Sequence, residues 1–284
     1  MSEFLSALSQ ESFLQMAVLA GLLASLGCGL IGTFVVVKRI TFIAGGIAHS
    51  VLAGMGAAAY FGFDPLPGAL LAAVISALLI GWIRLNWEAQ EDTLIGVLWA
   101  TGMAIGLIFI SRTPGFNTEL MSYLFGNILL VPMQDLWFMV VLDVVLLLAV
   151  VLFYRQFLAV IFDEEFARLR GVPVNFFYLL LLCLIALTVV LLIHVVGLIL
   201  VIALLTLPAA IAGHYVRSLS HMMMIATLLG CAFTSGGLAL AYTPDLPVGP
   251  VIILLAGFTY VLSALVSGLY AKIRARNALR RTGV

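Results

Sequence analysis

The residues of this 284-residue chain that could do chemistry are ionisable side chains set inside long apolar runs. Charges and imidazoles are costly at membrane depth, so those found there tend to mark an ion or proton path. His49 is the sharpest case. It lies in the run 41–59, TFIAGGIAHSVLAGMGAAA, where Gly46, Ser50 and Gly54 recur every four residues. One face of a helix with that spacing is nearly bare backbone and allows close contact with a neighbour. A neutral imidazole on it is a good ligand for zinc, manganese or iron. The plainer alternative is a histidine bonded to a nearby carbonyl. Asp143 lies mid-run in LWFMVVLDVVLLLAV. It is either a second cation ligand or a partner for hydroxyls across an interface. His194 stands before Val195-Val196-Gly197, lining an outer vestibule or resting at headgroup level; His214 and His221 flank a turn and read as solvated. Thr206 and Pro208 lie in GLILVIALLTLPAAIAG, where proline frees a carbonyl one turn back and permits a bend, at a gate or as plain structure.

The elements that must position these residues are membrane spans. The chain is 64% hydrophobic and 9% charged, with mean hydropathy +1.25. Soluble domains carry about 25% charged residues. The expected fold is all-α and polytopic, one transmembrane domain over 1–284. About 20 apolar residues cross the hydrocarbon, which gives spans at 14–37, 43–61, 66–83, 94–110, 136–153, 176–193, 195–212, 222–241 and 248–270. A count of eight or ten follows if 193–196 is a break inside one long element. Segment 123–131 is too short to cross and reads as re-entrant or interfacial. The N-terminus lacks a basic region and runs straight into a span, so no cleavable signal is expected. With the N-terminus outside, twelve of the thirteen basic residues fall inside and only Arg112 outside, which puts the C-terminus in the cytoplasm. Cys28, Cys183 and Cys231 have no paired spacing and read as packing residues. The outer loops 60–68 and 242–249 share an Asp/Pro/Gly pattern, as a weak internal repeat or as two tight turns. No phosphate loop with lysine and no HExxH is present, and Thr234-Ser235-Gly236-Gly237 lacks a base partner.

The longest interior run that cannot be membrane is 154–173, YRQFLAVIFDEEFARLRGVP. Asp163 is a good N-cap, Glu164 and Glu165 suit a first turn, Arg168 and Arg170 a last turn, and Gly171 with Pro173 a stop. Phe162, Phe166 and Leu169 make one side of this short helix apolar. It could dock on a partner or lie on the lipid surface.

Five stretches carry a resemblance that covers nearly the whole chain: 35–39 into 45–54 (VVVKR, GGIAHSVLAG), 92–106 (DTLIGVLWATGMAIG), 124–129 (LFGNIL), 162–171 (FDEEFARLRG) and 196–210 (VGLILVIALLTLPAA). Together they resemble the ABC-transporter permeases for zinc, manganese and iron, the membrane subunits of binding-protein-dependent metal importers. The resemblance implies a bacterial plasma-membrane permease that works as a pair, most simply a homodimer. It implies a cytoplasmic ATP-binding subunit that hydrolyses the ATP, an extracytoplasmic metal-binding protein delivering near Asp64 and Asp245, and no nucleic-acid partner. Segment 163–171 would be the coupling helix, with Asp163, Glu164, Glu165, Arg168, Arg170 and Gly171 serving the ATPase. The transported ion, rather than any resident cofactor, would meet His49. Many members place an aspartate one helical turn before that histidine; here the position is Gly45, and Asp143 is a substitute to test. The alternative is a secondary carrier or channel that uses His49 and Asp143 without an ATPase.

Overall fold

In lipid every backbone N–H and C=O needs an internal partner, so long apolar runs become helices. The computed structural model is helical throughout its regular structure and describes residues 2–86, 91–113, 126 and 128–282. Eleven α-helices follow one another: α1 Ser2–Gln10, α2 Ser12–Lys38, α3 Thr41–Tyr60, α4 Pro65–Asn86, α5 Glu91–Arg112, α6 Met133–Phe162, α7 Glu164–Leu169, α8 Val174–Val196, α9 Leu198–Tyr215, α10 Leu219–Tyr242 and α11 Val248–Thr282. Among the described residues nine of these are long and apolar enough to cross a membrane, and the chain is a multi-pass membrane protein. They fall on the nine expected segments.

Two boundaries differ in an informative way. α8 runs to Val196, and the break comes at Gly197, whose φ of 82° and ψ of 156° suit glycine. The sixth and seventh spans are therefore separate, and the seventh begins three residues later than expected. α6 is 30 residues long and carries a non-helical residue, Phe153 (φ −110°, ψ 17°), where the expected span ends. Beyond that kink residues 154–162 form an arm leading to α7. The arm is pinned by aromatic rings. Phe157 meets Phe34 of α2 at 5.4 Å and Phe177 of α8 at 5.8 Å. Of the expected re-entrant segment, 123–125 and 127 lie outside the described residues, and Ile128–Leu130 forms one 3₁₀ turn against α2.

Lipid tails are as apolar as leucine, so helices associate through close packing rather than through expulsion of water. Small residues make that packing possible. α2 is the hub, touching α6, α8, α9 and α10. A Cβ on its Gly29 would lie 2.7 Å from the backbone nitrogen of Thr227, and one on Gly32 would strike the carbonyl of Leu205. The bare face expected on α3 is used in the same way. Gly46 faces Ile95, Ser50 faces Gly102 of α5 and Gly54 lies on the backbone of Gly68 of α4. Two buried hydroxyls of α2 bond within their own helix: Ser25 donates to the Gly21 carbonyl at 2.6 Å and Thr33 to Gly29 at 2.8 Å. The three cysteines are free, as packing residues would be.

Overpacking a tight contact costs about 1–3 kcal/mol. Gly32→Val should therefore lower the melting temperature of the detergent-solubilised protein clearly. Gly257→Ala, where an added Cβ meets nothing within 4 Å, should leave it unchanged or raise it. Equal melting of Gly32→Val and wild type would refute this account of the hub.

Candidate functional site

His49 is placed by the α3–α5 seam. Its ring stacks on the indole of Trp99, with centroids 4.1 Å apart and planes at 14°. Phe42 lies 5.9 Å from the same indole, centroid to centroid. Between them in the α3 helix sits Gly45, where a Cβ would meet Trp99 Cζ3 at 3.3 Å. The indole therefore covers the place where the resemblance would put a carboxylate. Nδ1 of His49 is buried with no hydrogen-bond partner among the described residues. An imidazole held flat by an indole, with a ring nitrogen not tied to the protein, can offer that nitrogen to a ligand; a packing histidine would instead be expected to bond a carbonyl. In the sequence Trp99 stands out only as part of the 92–106 pattern. The signal that could have found it is the pairing of a bulky aromatic with a glycine-rich helix.

Asp143 lies elsewhere. It is buried, at 5% exposure, with Oδ1 in the notch over Gly27 of α2 and Thr188 of α8 nearby. Oδ2 is buried without a partner among the described residues. Its helix α6 packs on α2 and α8 rather than on α3, so the structure does not bring Asp143 to His49. His194 lies in the last turn of α8, and its side chain falls outside the described residues. Among the described residues no three His, Cys, Asp or Glu side chains gather where they could hold a metal. Thr206 donates to the Ile202 carbonyl at 2.8 Å, and α9 continues through Pro208 as one element. The backbone break falls eleven residues earlier, at Gly197. His221 is exposed, whereas His214 is exposed but bonded, its Nδ1 2.9 Å from Ser263 Oγ. Asp64 caps α4, accepting the Leu66 N–H at 3.0 Å; Asp245 borders a cavity of about 320 Å³ with Gly126, Ile128 and Val196.

The other end of the bundle is basic and holds α7. Asp163 Oδ1 accepts the Phe166 N–H at 2.9 Å, as its cap role requires. Gly171 (φ 77°) closes the helix, and the Arg170 guanidinium lies over the Phe166 ring at 5.2 Å. Glu165, Arg168 and Arg170 point outward. So do Phe162, Phe166 and Leu169, the last 87% exposed. Glu164 differs from its neighbours. It turns toward the bundle, where Oε1 accepts from Lys38 Nζ at 2.5 Å and from an Arg84 nitrogen at 3.3 Å. Burial pushes its carboxyl up, but the Lys38 hydrogen bond and the charges of Lys38, Arg84 and Arg168 outweigh that and hold it below its ordinary value.

Residues 10–267 match the model of the ABC 3 transport family. The chain belongs to that family. An uncharacterized membrane protein of Synechocystis is 49% identical to it over 89% of this chain and 90% of its own length. The manganese transport system membrane protein MntC of Halalkalibacterium halodurans is 33% identical over 92% and 89%. Among solved structures, PsaBC from Streptococcus pneumoniae in complex with Fab superposes with a TM-score of 0.84 at 32% identity, covering 92% of this chain and 94% of that one. This ABC 3 member thus shares the fold of that structure over 92% of its own length; in this chain Gly45 and Trp99 lie side by side in the second and fourth spans.

The Glu164 ties have a defined pH dependence. A carboxyl held below its ordinary value of 4.5 contributes stability that is fully present above that value and lost as pH falls through the lower folded one. The melting-temperature gap between wild type and Glu164→Gln should be constant from neutral pH down to about 5 and close in stronger acid. A gap that widens as pH falls would refute this assignment.

Proposed function

We propose that this ABC 3 chain is the membrane permease of an ATP-driven importer of a divalent transition metal ion, with His49 on the path of the ion. The observation that carries the reading is the likeness to PsaBC over 92% of the chain, combined with a short capped helix whose outer side is apolar and exposed. Phe162, Phe166 and Leu169 form a docking patch rimmed by Glu165, Arg168 and Arg170. The occupant in this reading is a cytoplasmic ATP-binding subunit, which would perform the hydrolysis that the permease does not. The N-terminus then lies outside and the C-terminus inside. An extracytoplasmic binding protein meets the face that carries Asp64 and Asp245. A second copy of the chain packs on the first, so that two His49 imidazoles approach one path.

In this arrangement Trp99 is a positioning residue. Its indole fixes the imidazole plane and fills the space beside Gly45, so the nearest protein donors to the ion are neutral nitrogens. Asp143 and His194 stand away from the His49 pocket: Asp143 on the α2–α8 side of the bundle and His194 at the outer end of α8.

The test is uptake by proteoliposomes holding this chain and its ATP-binding subunit, with zinc, manganese and iron compared. Uptake should require ATP and the binding protein. His49→Ala should cut it roughly tenfold or more at limiting metal, because even outer partners of metal ligands carry that much. Trp99→Phe should retain more uptake than Trp99→Ala. Leu169→Asp should abolish copurification with the ATP-binding subunit, since docking would then bury an unpaired charge. Uptake driven by a proton gradient with no ATP-binding subunit present would overturn the reading.

A further inference from the structure

We propose that Glu164 is the residue through which movement of α7 reaches the membrane spans, passing through Lys38 to α2 and through Arg84 to α4. The inference rests on the importer reading above and assigns to one carboxylate a role opposite to that of its neighbours: it faces the bundle, not the partner.

The geometry isolates Glu164. α7 has six residues, and its packing is with α6 and α8, the elements that precede and follow it in the chain. Ala167 is its one buried side chain among the described residues. Among the described residues, the ion pairs that join it to α2 and α4, both distant in sequence, are made by the Glu164 carboxylate. Each cation is itself held. Lys38 ends α2 and also donates to the Val160 carbonyl at 3.0 Å, in the arm that leads to α7. Arg84 lies near the end of α4 with its guanidinium 4.1 Å from the Tyr178 ring centroid on α8. Lys38 and Arg84 side chains are 11% and 24% exposed, so bulk salt screens the ties only in part.

From these two anchors the connections run to the site. α4 lies on α3 where the backbones of Gly54 and Gly68 touch, and α3 carries His49. α2 is the hub on which α9 and α10 close. A displacement of α7 by its partner therefore pulls at once on the hub and on the helix backing the His49 helix. Tightly packed elements of this kind shift as units and do not deform gradually.

The experiment measures metal ions taken up per ATP hydrolysed in proteoliposomes of the full complex. Glu164→Gln should still copurify with the ATP-binding subunit, while ions moved per ATP fall at least fivefold. Glu164→Asp should recover a substantial part of that ratio, and Lys38→Met added to Glu164→Gln should cause little further loss. The double variant Lys38→Met, Arg84→Met cuts the same ties from the span side and should give the same low ratio, which keeps the test open if Glu164→Gln fails to fold. A wild-type ratio in either variant would overturn the proposal. So would loss of copurification in Glu164→Gln, because the carboxylate would then belong to the docking patch. An inactive wild-type complex would instead overturn the importer reading on which this rests.

Discussion

Close approach of helix backbones is the constraint on which the rest of this structure depends. In lipid there is little hydrophobic gain from bringing two apolar helices together, so contact quality decides the arrangement. The contacts here are made where side chains are missing. Gly29 and Gly32 let α10 and α9 touch α2, and Gly54 with Gly68 brings α3 onto α4. A helix that sits this near its neighbours has few alternative registers. That rigidity is what gives fixed positions to side chains such as His49, which no hydrogen bond holds at Nδ1 among the described residues.

The same scarcity of side chains shapes the site. α3 offers glycine at 45 and 46, and the two are used differently. Gly46 admits Ile95, a packing contact of the α3–α5 seam. Gly45 leaves a hollow one turn from His49, and the Trp99 indole covers it. Once a large ring occupies that hollow, a carboxylate there would have to displace it. A glycine at 45 and an indole at 99 are thus fitted to each other. The indole gives the His49 imidazole a stacking surface on that side.

The spans were legible because their signal is summed over some 20 residues and tolerates error at the ends. Asp163 and Gly171 were legible because capping is local: a side-chain oxygen reaching an N–H three residues on, and a positive φ at the stop. The direction of Glu164 was not. Glu164 and Glu165 are adjacent and chemically alike, and only the distant Lys38 and Arg84 distinguish them, across 126 and 80 residues of sequence. In the sequence both cations served as markers of topology. Nor could the pairing of His49 with Trp99 be read, because which face of α5 meets α3 depends on Gly102 and Gly106 fitting against Ser50 and Leu52. Depth alone leaves Asp143 open between a second cation ligand and a partner for hydroxyls, because it says that a polar group is costly, not which neighbour shares it.

Glu164 and the apolar patch beside it also explain why so short a helix can exist at all. Two turns of helix are marginal in water, since nucleation is costly and few bonds repay it. α7 is held from three sides: by the Asp163 cap at its start, by Gly171 at its end, and by the carboxylate gripped from the bundle. These supports leave its outer face free of structural duty. Phe162, Phe166 and Leu169 can then remain exposed without loosening the helix. A helix stabilised instead by burying those three residues would have no surface left to offer a partner. The division of labour follows from direction: the charged residue that turns inward holds the helix, and the apolar residues that turn outward are the ones available for recognition.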